Sequence, residues 1–231
     1  MRRKTLRLVL ILVLMSGTAS LLAAADTSFW IIRANYVQTW PSSDTYQTQS
    51  VLEDLPPILV ELSFDNGQGF GLEVEYLFSE DVQAPPKLGL VLSAIFTDME
   101  GSLLYNEVGE ESDLVQDNNT VDFYSVNFGA NYHFAPRKRA DPYLGAFVGW
   151  FSHDSVKFGL GETGEEISID FDDQFSYGVS AGLDVPFRTQ GRSWMFTLGV
   201  KYLITDLKES GGSREIAIDP IIGTVGLAYR F

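Results

Sequence analysis

Residues 175–187 run Phe175-Ser176-Tyr177-Gly178-Val179-Ser180-Ala181-Gly182-Leu183-Asp184-Val185-Pro186-Phe187. Phe175, Tyr177, Val179, Ala181, Leu183, Val185 and Phe187 share one face, and Ser176, Gly178, Ser180, Gly182 and Asp184 share the other. A period of two is that of a β-strand, whose successive side chains point to opposite sides. A soluble sandwich would bury such apolar faces between two sheets and turn the polar faces to water. Here the polar face is made of Gly, Ser and one charge, while rings sit towards both ends of the apolar face. Small inward residues suit the narrow interior of a small barrel, and rings at strand ends suit the two bilayer interfaces. The soluble alternative is a secreted β-sandwich.

The same alternation appears in Phe70 to Phe78, Tyr124 to Phe134, Trp194 to Ile204 and Ile221 to Phe231. Strands are expected near 28–40, 68–79, 88–106, 120–134, 142–153, 173–187, 194–206 and 217–231. The connections 41–67, 107–119 and 154–172 are long and acidic, whereas Glu80 to Lys87, Ala135 to Asp141 and Arg188 to Ser193 are short. Short turns on one side and long loops on the other are the layout of a bacterial outer-membrane barrel. The expected fold class is therefore all-β, an eight-stranded antiparallel up-and-down transmembrane β-barrel. Ile58 to Asp65 also reads as a strand and is assigned to the first loop or to an extension of the second strand. A ten-stranded barrel using 58–65 and splitting 88–106 is the alternative.

Composition narrows the function classes. The 231 residues hold 16 Lys+Arg against 31 Asp+Glu, a formal charge of −15, and no Cys. A nucleic-acid partner calls for a basic stripe against phosphates, so none is expected, and the lack of Cys excludes a disulfide scaffold. Near-neutral mean hydropathy is compatible with a barrel, because lipid-facing and lumen-facing residues average out. At the N-terminus Arg2, Arg3, Lys4 and Arg7 precede the apolar run Leu8 to Met15, and Ala23-Ala24-Ala25 follows as a small-residue cleavage site. That is the layout of a secretory signal peptide over 1–25, leaving 26–231 as the barrel domain. Cleavage near Ala25 removes four bases and takes the charge to −19.

Chemical sites are few. Ser152-His153-Asp154-Ser155 holds the residue types of a hydrolase triad, but neighbours on a strand face opposite ways and triads are built by geometry. His133, near a periplasmic turn, reads as a solvated rim histidine, and two His without Cys do not make a transition-metal site. Gly159-Leu160-Gly161-Glu162-Thr163-Gly164 matches a dinucleotide fingerprint by letter only, since no helix follows to hold a pyrophosphate. The acids from Glu162 to Asp173 lack the spacing of a calcium loop and read as a solvated loop, as does the turn Arg137-Lys138-Arg139. No catalytic residue, cofactor or metal is expected, and the protein is not expected to be an enzyme. The residues singled out are the inward charges Arg33, Glu73, Glu75, Asp184, Lys201 and Arg230, which require ion pairs or water. They read as a pairing network that plugs the barrel, with a selectivity ring as the alternative.

The ending Asp219-Pro220-Ile221-Ile222-Gly223-Thr224-Val225-Gly226-Leu227-Ala228-Tyr229-Arg230-Phe231 resembles the last strand of the outer-membrane protein W (OmpW) family. Phe29 to Ala34, Gly71 to Tyr76 and Asp141 to Gly149 are similar to that family in the same order. Small porin-like relatives share the terminal motif, whereas Pro41 to Asn66 departs from the pattern. Val225, Leu227, Tyr229 and Phe231 also look like the signal read by the barrel-assembly machinery. The resemblance implies a bacterial outer-membrane protein with a narrow, partly apolar interior that passes small hydrophobic molecules and releases them sideways. An eight-stranded interior has room only for side chains or one small ligand, which excludes a general water-filled porin. Expected partners are outer-membrane lipid and lipopolysaccharide, the assembly machinery and small hydrophobic solutes. The alternative functions are a structural or surface-interaction barrel contacting lipopolysaccharide, phage or host, and, behind it, a lipid-modifying enzyme.

Overall fold

The computed structural model describes residues 29–42, 46–50, 58–78, 87–107, 117–136, 138–153, 156–160, 165–169, 171–188, 192–209 and 215–231. The expected signal peptide over 1–25 lies outside them. Eight strands build the barrel: β1 (Phe29–Trp40), β2 (Gly67–Phe78), β3 (Leu88–Glu107), β4 (Asp117–His133), β5 (Asp141–His153), β6 (Gln174–Pro186), β7 (Ser193–Ile204) and β8 (Ile221–Arg230). Each pairs antiparallel with its sequence neighbours, and β8 returns to β1 with Ile31 opposite Arg230 and Trp40 opposite Ile221. The ring is closed, so the barrel has no free edge within the bilayer, where unpaired backbone groups would be costly. The eight-stranded expectation is borne out, and no helix occurs among the described residues.

Ile58–Phe64 is the extension of β2 and not a ninth barrel strand. It pairs with the upper part of β3, Phe64 opposite Gly101 and Ile58 opposite Glu107. Below it Gln68 opposes Asp98, so four steps on this side meet three on β3. One extra residue makes a β-bulge, a local break in the ladder that bends its strand. Tyr46–Ser50 pairs with the outer side of Ile58–Leu62. The expected loop 154–172 also carries strand structure, a hairpin of Val156–Leu160 with Glu165–Ile169. Phe171–Asp172 joins Asp206–Glu209 and Glu215–Ala217 in a small separate sheet.

Alternation sets which side chains meet lipid. Trp30, Tyr76, Phe78, Tyr132, Phe134, Trp194, Tyr229 and Phe231 form the lower girdle, with Trp30 and Tyr76 ring centroids 4.7 Å apart and Trp194 and Tyr229 5.1 Å apart. Tyr36, Trp40, Phe70, Phe96, Tyr124, Trp150, Tyr177 and Tyr202 form the upper one. From Trp30 to Trp40 is ten residues, about 25 Å of height on a strand tilted by roughly 40°, which matches the apolar band of an outer-membrane barrel. Between the girdles Ile32, Leu144, Val148, Val179, Leu198 and Leu227 stand exposed on the outer wall. In water this would be a large apolar surface, and in a membrane it is the solvated one. β3 continues eleven residues beyond Phe96, roughly 35 Å of strand above the girdle.

Candidate functional site: the lumen

Inward side chains fill the barrel in layers. At the periplasmic end Ile31, Leu77, Met195 and Ala228 make a buried apolar cluster with Phe29 packed against it. The void left there, bounded also by Asp141 and Arg230, measures about 10 Å³. That is room for at most one water.

A charged layer lies directly above. Arg33 of β1 reaches across the lumen and donates from Nη2 to Asp184 Oδ2 at 2.6 Å and from Nε to Asp184 Oδ1 at 3.3 Å. Its Nη1 donates to Glu73 Oε1 at 2.7 Å and lies 2.6 Å from Glu75 Oε2. The planar fork of a guanidinium meets three carboxylates here and grips one of them, Asp184, with two donors at fixed angles, a bidentate geometry that a lysine ammonium lacks. Lys201 Nζ donates to the other Glu73 oxygen at 2.9 Å and to Ser93 Oγ at 3.2 Å. His133 lies 2.9 Å from Glu75 through Nε2 and 2.9 Å from Asp141 through Nδ1. The second Asp141 oxygen accepts from the backbone N–H of Ala135 at 3.2 Å, tying the layer to the β4–β5 turn. The Tyr143 ring lies 5.1 Å from the Arg33 guanidinium carbon, and the Phe147 ring 5.8 Å from Lys201 Nζ.

This network joins every strand from β1 to β7. Arg33, Glu75 and Asp184 are at most 1% exposed, and His133 is fully buried. Burying charge is costly unless each group is paired, and here pairing is shared so that each carboxylate oxygen faces a donor or a cation. Five of the six inward charges meet in this layer. Arg230, also buried, stands lower, its guanidinium carbon 6.0 Å from the Phe29 ring. The reading of His133 as a solvated rim histidine is overturned. Its alternation with exposed Tyr132 and Phe134 turns it inward, and two carboxylates from β2 and β5 hold it.

Above the charges Val37, Ile95 and Ile222 make a second apolar cluster on the β1, β3 and β8 side. Ser125, Asn127 and Ser176 occupy the β4 to β6 side, with Asn127 Nδ2 donating to Ser125 Oγ at 3.0 Å. Near the upper mouth Phe123 packs on Phe151 at 5.5 Å and on Phe64 at 5.8 Å, with Met99 and Val121 also buried. Ser152 and His153 are buried in the same region, while Asp154 and Ser155 lie outside the described residues, as does the glycine motif from 161 to 164. Lys138 and Arg139 are exposed on the periplasmic turn, and Arg137 lies outside the described residues. Among the described residues no group of three or more His, Asp or Glu could hold a metal ion.

On the outer wall a recess of about 280 Å³ lies between the aromatic row Phe70, Phe96, Tyr124 and the polar row Gln68, Asp98, Asp122. A second recess, of about 170 Å³, adjoins the bulge at Asn66, Gly67, Met99 and Glu100. Both share Gln68 and Asp98, so a furrow follows the wall from the upper girdle to the break in the ladder. Val225, Leu227 and Phe231 are exposed on the lipid face of β8, and Tyr229 is half-buried between Trp194 and Phe231.

A closed eight-stranded barrel with lipid-facing girdles and a charged, packed lumen is an integral outer-membrane β-barrel. The chain belongs to the outer membrane protein beta-barrel domain family, whose model matches residues 9–231. This bears out the expected kinship with small porin-like outer-membrane barrels and gives the bacterial outer membrane as its location. Among solved structures the chain is similar to outer membrane protein AlkL in DMPC lipid bilayers, at 19% identity and a TM-score of 0.53 over 90% of this chain and 92% of AlkL. It is also similar to Neisserial surface protein A, at 14% identity and a TM-score of 0.43 over 90% and 97% of the two chains. For the attachment invasion locus protein Ail of Yersinia pestis the values are 20% and 0.43 over 88% and 99%. No curated protein matches the chain.

Proposed function

We propose that the barrel takes up small apolar molecules at its extracellular end and releases them sideways at the β2–β3 bulge, from which the outer furrow leads down to the membrane at the upper girdle. The observation that carries this reading is the contrast between the two ends of the molecule. The periplasmic half is closed by an apolar cluster under a charged layer, with a void of about 10 Å³. The upper half is lined by Phe123, Phe151, Met99 and Val121, and its wall is interrupted where the ladder slips between Phe64 and Gln68. An apolar solute gains by leaving water for such a lining and again by entering lipid, so no energy source is required. Export with cleavage near Ala25, and recognition of Val225, Leu227, Tyr229 and Phe231 by the assembly machinery, belong to the same reading.

Asp65 and Glu100 face each other across the bulge, the Asp65 N–H donating to the Glu100 carbonyl at 2.7 Å. The chain has no Cys, so Asp65→Cys with Glu100→Cys places one reducible staple there. Oxidised protein in whole cells is expected to deliver an apolar fluorescent probe to the membrane more slowly, with recovery on reduction. Equal delivery in both states overturns the lateral route.

A second reading, a barrel that presents a binding surface for lipopolysaccharide, phage or host ligands, is supported by how far β3 and its partners stand above the girdle. Shortening 43–64 and 108–116 is expected to abolish surface binding under this reading while the barrel still assembles. Retained binding by the shortened protein removes it.

A further inference from the structure

Arg33 occupies the axis of the lumen, held by Asp184, Glu73 and Glu75 together. We propose that the barrel contains a cation-selective path along its lumen, which the Arg33 guanidinium holds shut. In an eight-stranded barrel the interior is only as wide as its side chains. At the charged layer the cross-section is therefore whatever Arg33 fills.

Two cations, Arg33 and Lys201, stand among the four carboxylates Glu73, Glu75, Asp141 and Asp184, with His133 between two of those. When Arg33 leaves, Asp184 loses its bidentate partner and Glu75 keeps only His133. Carboxylates so exposed draw in water, because a dry unpaired charge is the costlier state. A hydrated set of carboxylates in a narrow pore admits cations and repels anions.

Above this layer the polar wall of Ser125, Asn127 and Ser176 gives an ion a hydrophilic side to follow past the Val37, Ile95 and Ile222 cluster. Below it the Ile31, Leu77, Met195 and Ala228 cluster is a second barrier of the kind that opens by wetting. Met195 is its adaptable member, being unbranched. The path is independent of apolar uptake, since its readout is ionic current and its route is the lumen axis.

The test is single-channel recording on the refolded protein in planar bilayers under a KCl gradient. Wild type is expected to be silent. Arg33→Ala, and more strongly Arg33→Ala with Met195→Ala, is expected to give discrete openings whose reversal potential shifts towards that of the cation. Adding Glu73→Gln and Glu75→Gln is expected to move the reversal potential back towards zero. Should Arg33→Ala fail to fold, Asp184→Asn loosens the same guanidinium while Glu73 and Glu75 retain it, and rarer openings of the same selectivity are expected. Silence from both folded Arg33 variants, or from Asp184→Asn in their place, overturns the proposal. So do anion selectivity, or wild-type currents equal to those of the variants.

Discussion

Tyr143 lies 7% exposed in the lumen, and a Cβ built at Gly182 would fall on its ring. Gly182 is thus a glycine for space, leaving room for a ring that itself flanks the Arg33 guanidinium. Gly182→Ala is expected to cost about 1–3 kcal/mol by overpacking, measured by urea unfolding in lipid vesicles, with Tyr143→Leu in the same chain restoring most of it. Arg33 is a second position where one side chain decides much. Arg33→Met removes the partner of three buried carboxylates and is expected to lose about 3–5 kcal/mol in the same assay, whereas Arg33→Met with Glu73→Gln, Glu75→Gln and Asp184→Asn is expected to recover part of that. Alternation alone turned Glu73, Glu75, Asp184 and Lys201 to the side of Gly71, Gly182 and Gly199, each an even number of residues away, and Arg33 to the side opposite Trp30, Ile32 and Tyr36. The grip on His133 was not legible in that way. Its partner Glu75 is 58 residues distant on a strand that is not its neighbour, so the contact exists only once the barrel has closed.

At the level of elements, five of the strands were legible because each repeats the two-residue period over nine or more residues, and the turn side was legible from connection length. The role of Ile58–Phe64 was not, because a seven-residue apolar stretch reads the same in a barrel strand and in an extension. What settles it is register. The pairing of Phe64 with Gly101 continues that of Gln68 with Asp98 apart from one inserted residue, so both segments use the same β3 edge. The extension is paired on both sides, by β3 and by Tyr46–Ser50, and its backbone hydrogen bonds hold the upper structure together. Val60→Pro removes a ladder donor in the middle of it. The expected outcome is faster cleavage of the 43–64 region by protease added to whole cells, with the barrel still resistant and still running as a folded band on unheated gels. Loss of the folded band would mean that the extension is needed for closure, contrary to its position above the upper girdle.

For the whole molecule, the inversion of the usual protein pattern follows from the solvent. Charge sits on the axis and rings on the outside, because lipid rewards an apolar wall while the closed ring of strands satisfies the backbone. Which apolar residues fill the lumen around its charges could not be read from the sequence, since each layer is assembled from strands far apart in the chain. The apolar cluster takes Ile31, Leu77, Met195 and Ala228 from β1, β2, β7 and β8, and nothing local marks them as a set. The outer wall, by contrast, makes depth a property of position along one strand. On β7 the lipid-facing residues run from Trp194 in the lower girdle through Leu198 to Tyr202 in the upper one. Leu198 stands midway, where a cation has neither headgroup nor water within easy reach. Leu198→Arg is expected to destabilise the barrel by about 2–4 kcal/mol in reversible unfolding from vesicles, and Tyr202→Arg by roughly 0–1 kcal/mol beyond the loss of its ring contacts. Equal penalties at the two sites would place Leu198 outside the hydrocarbon and shift the bilayer along the barrel. A penalty that falls from Leu198 towards both girdles fixes the membrane at the height that the rings mark.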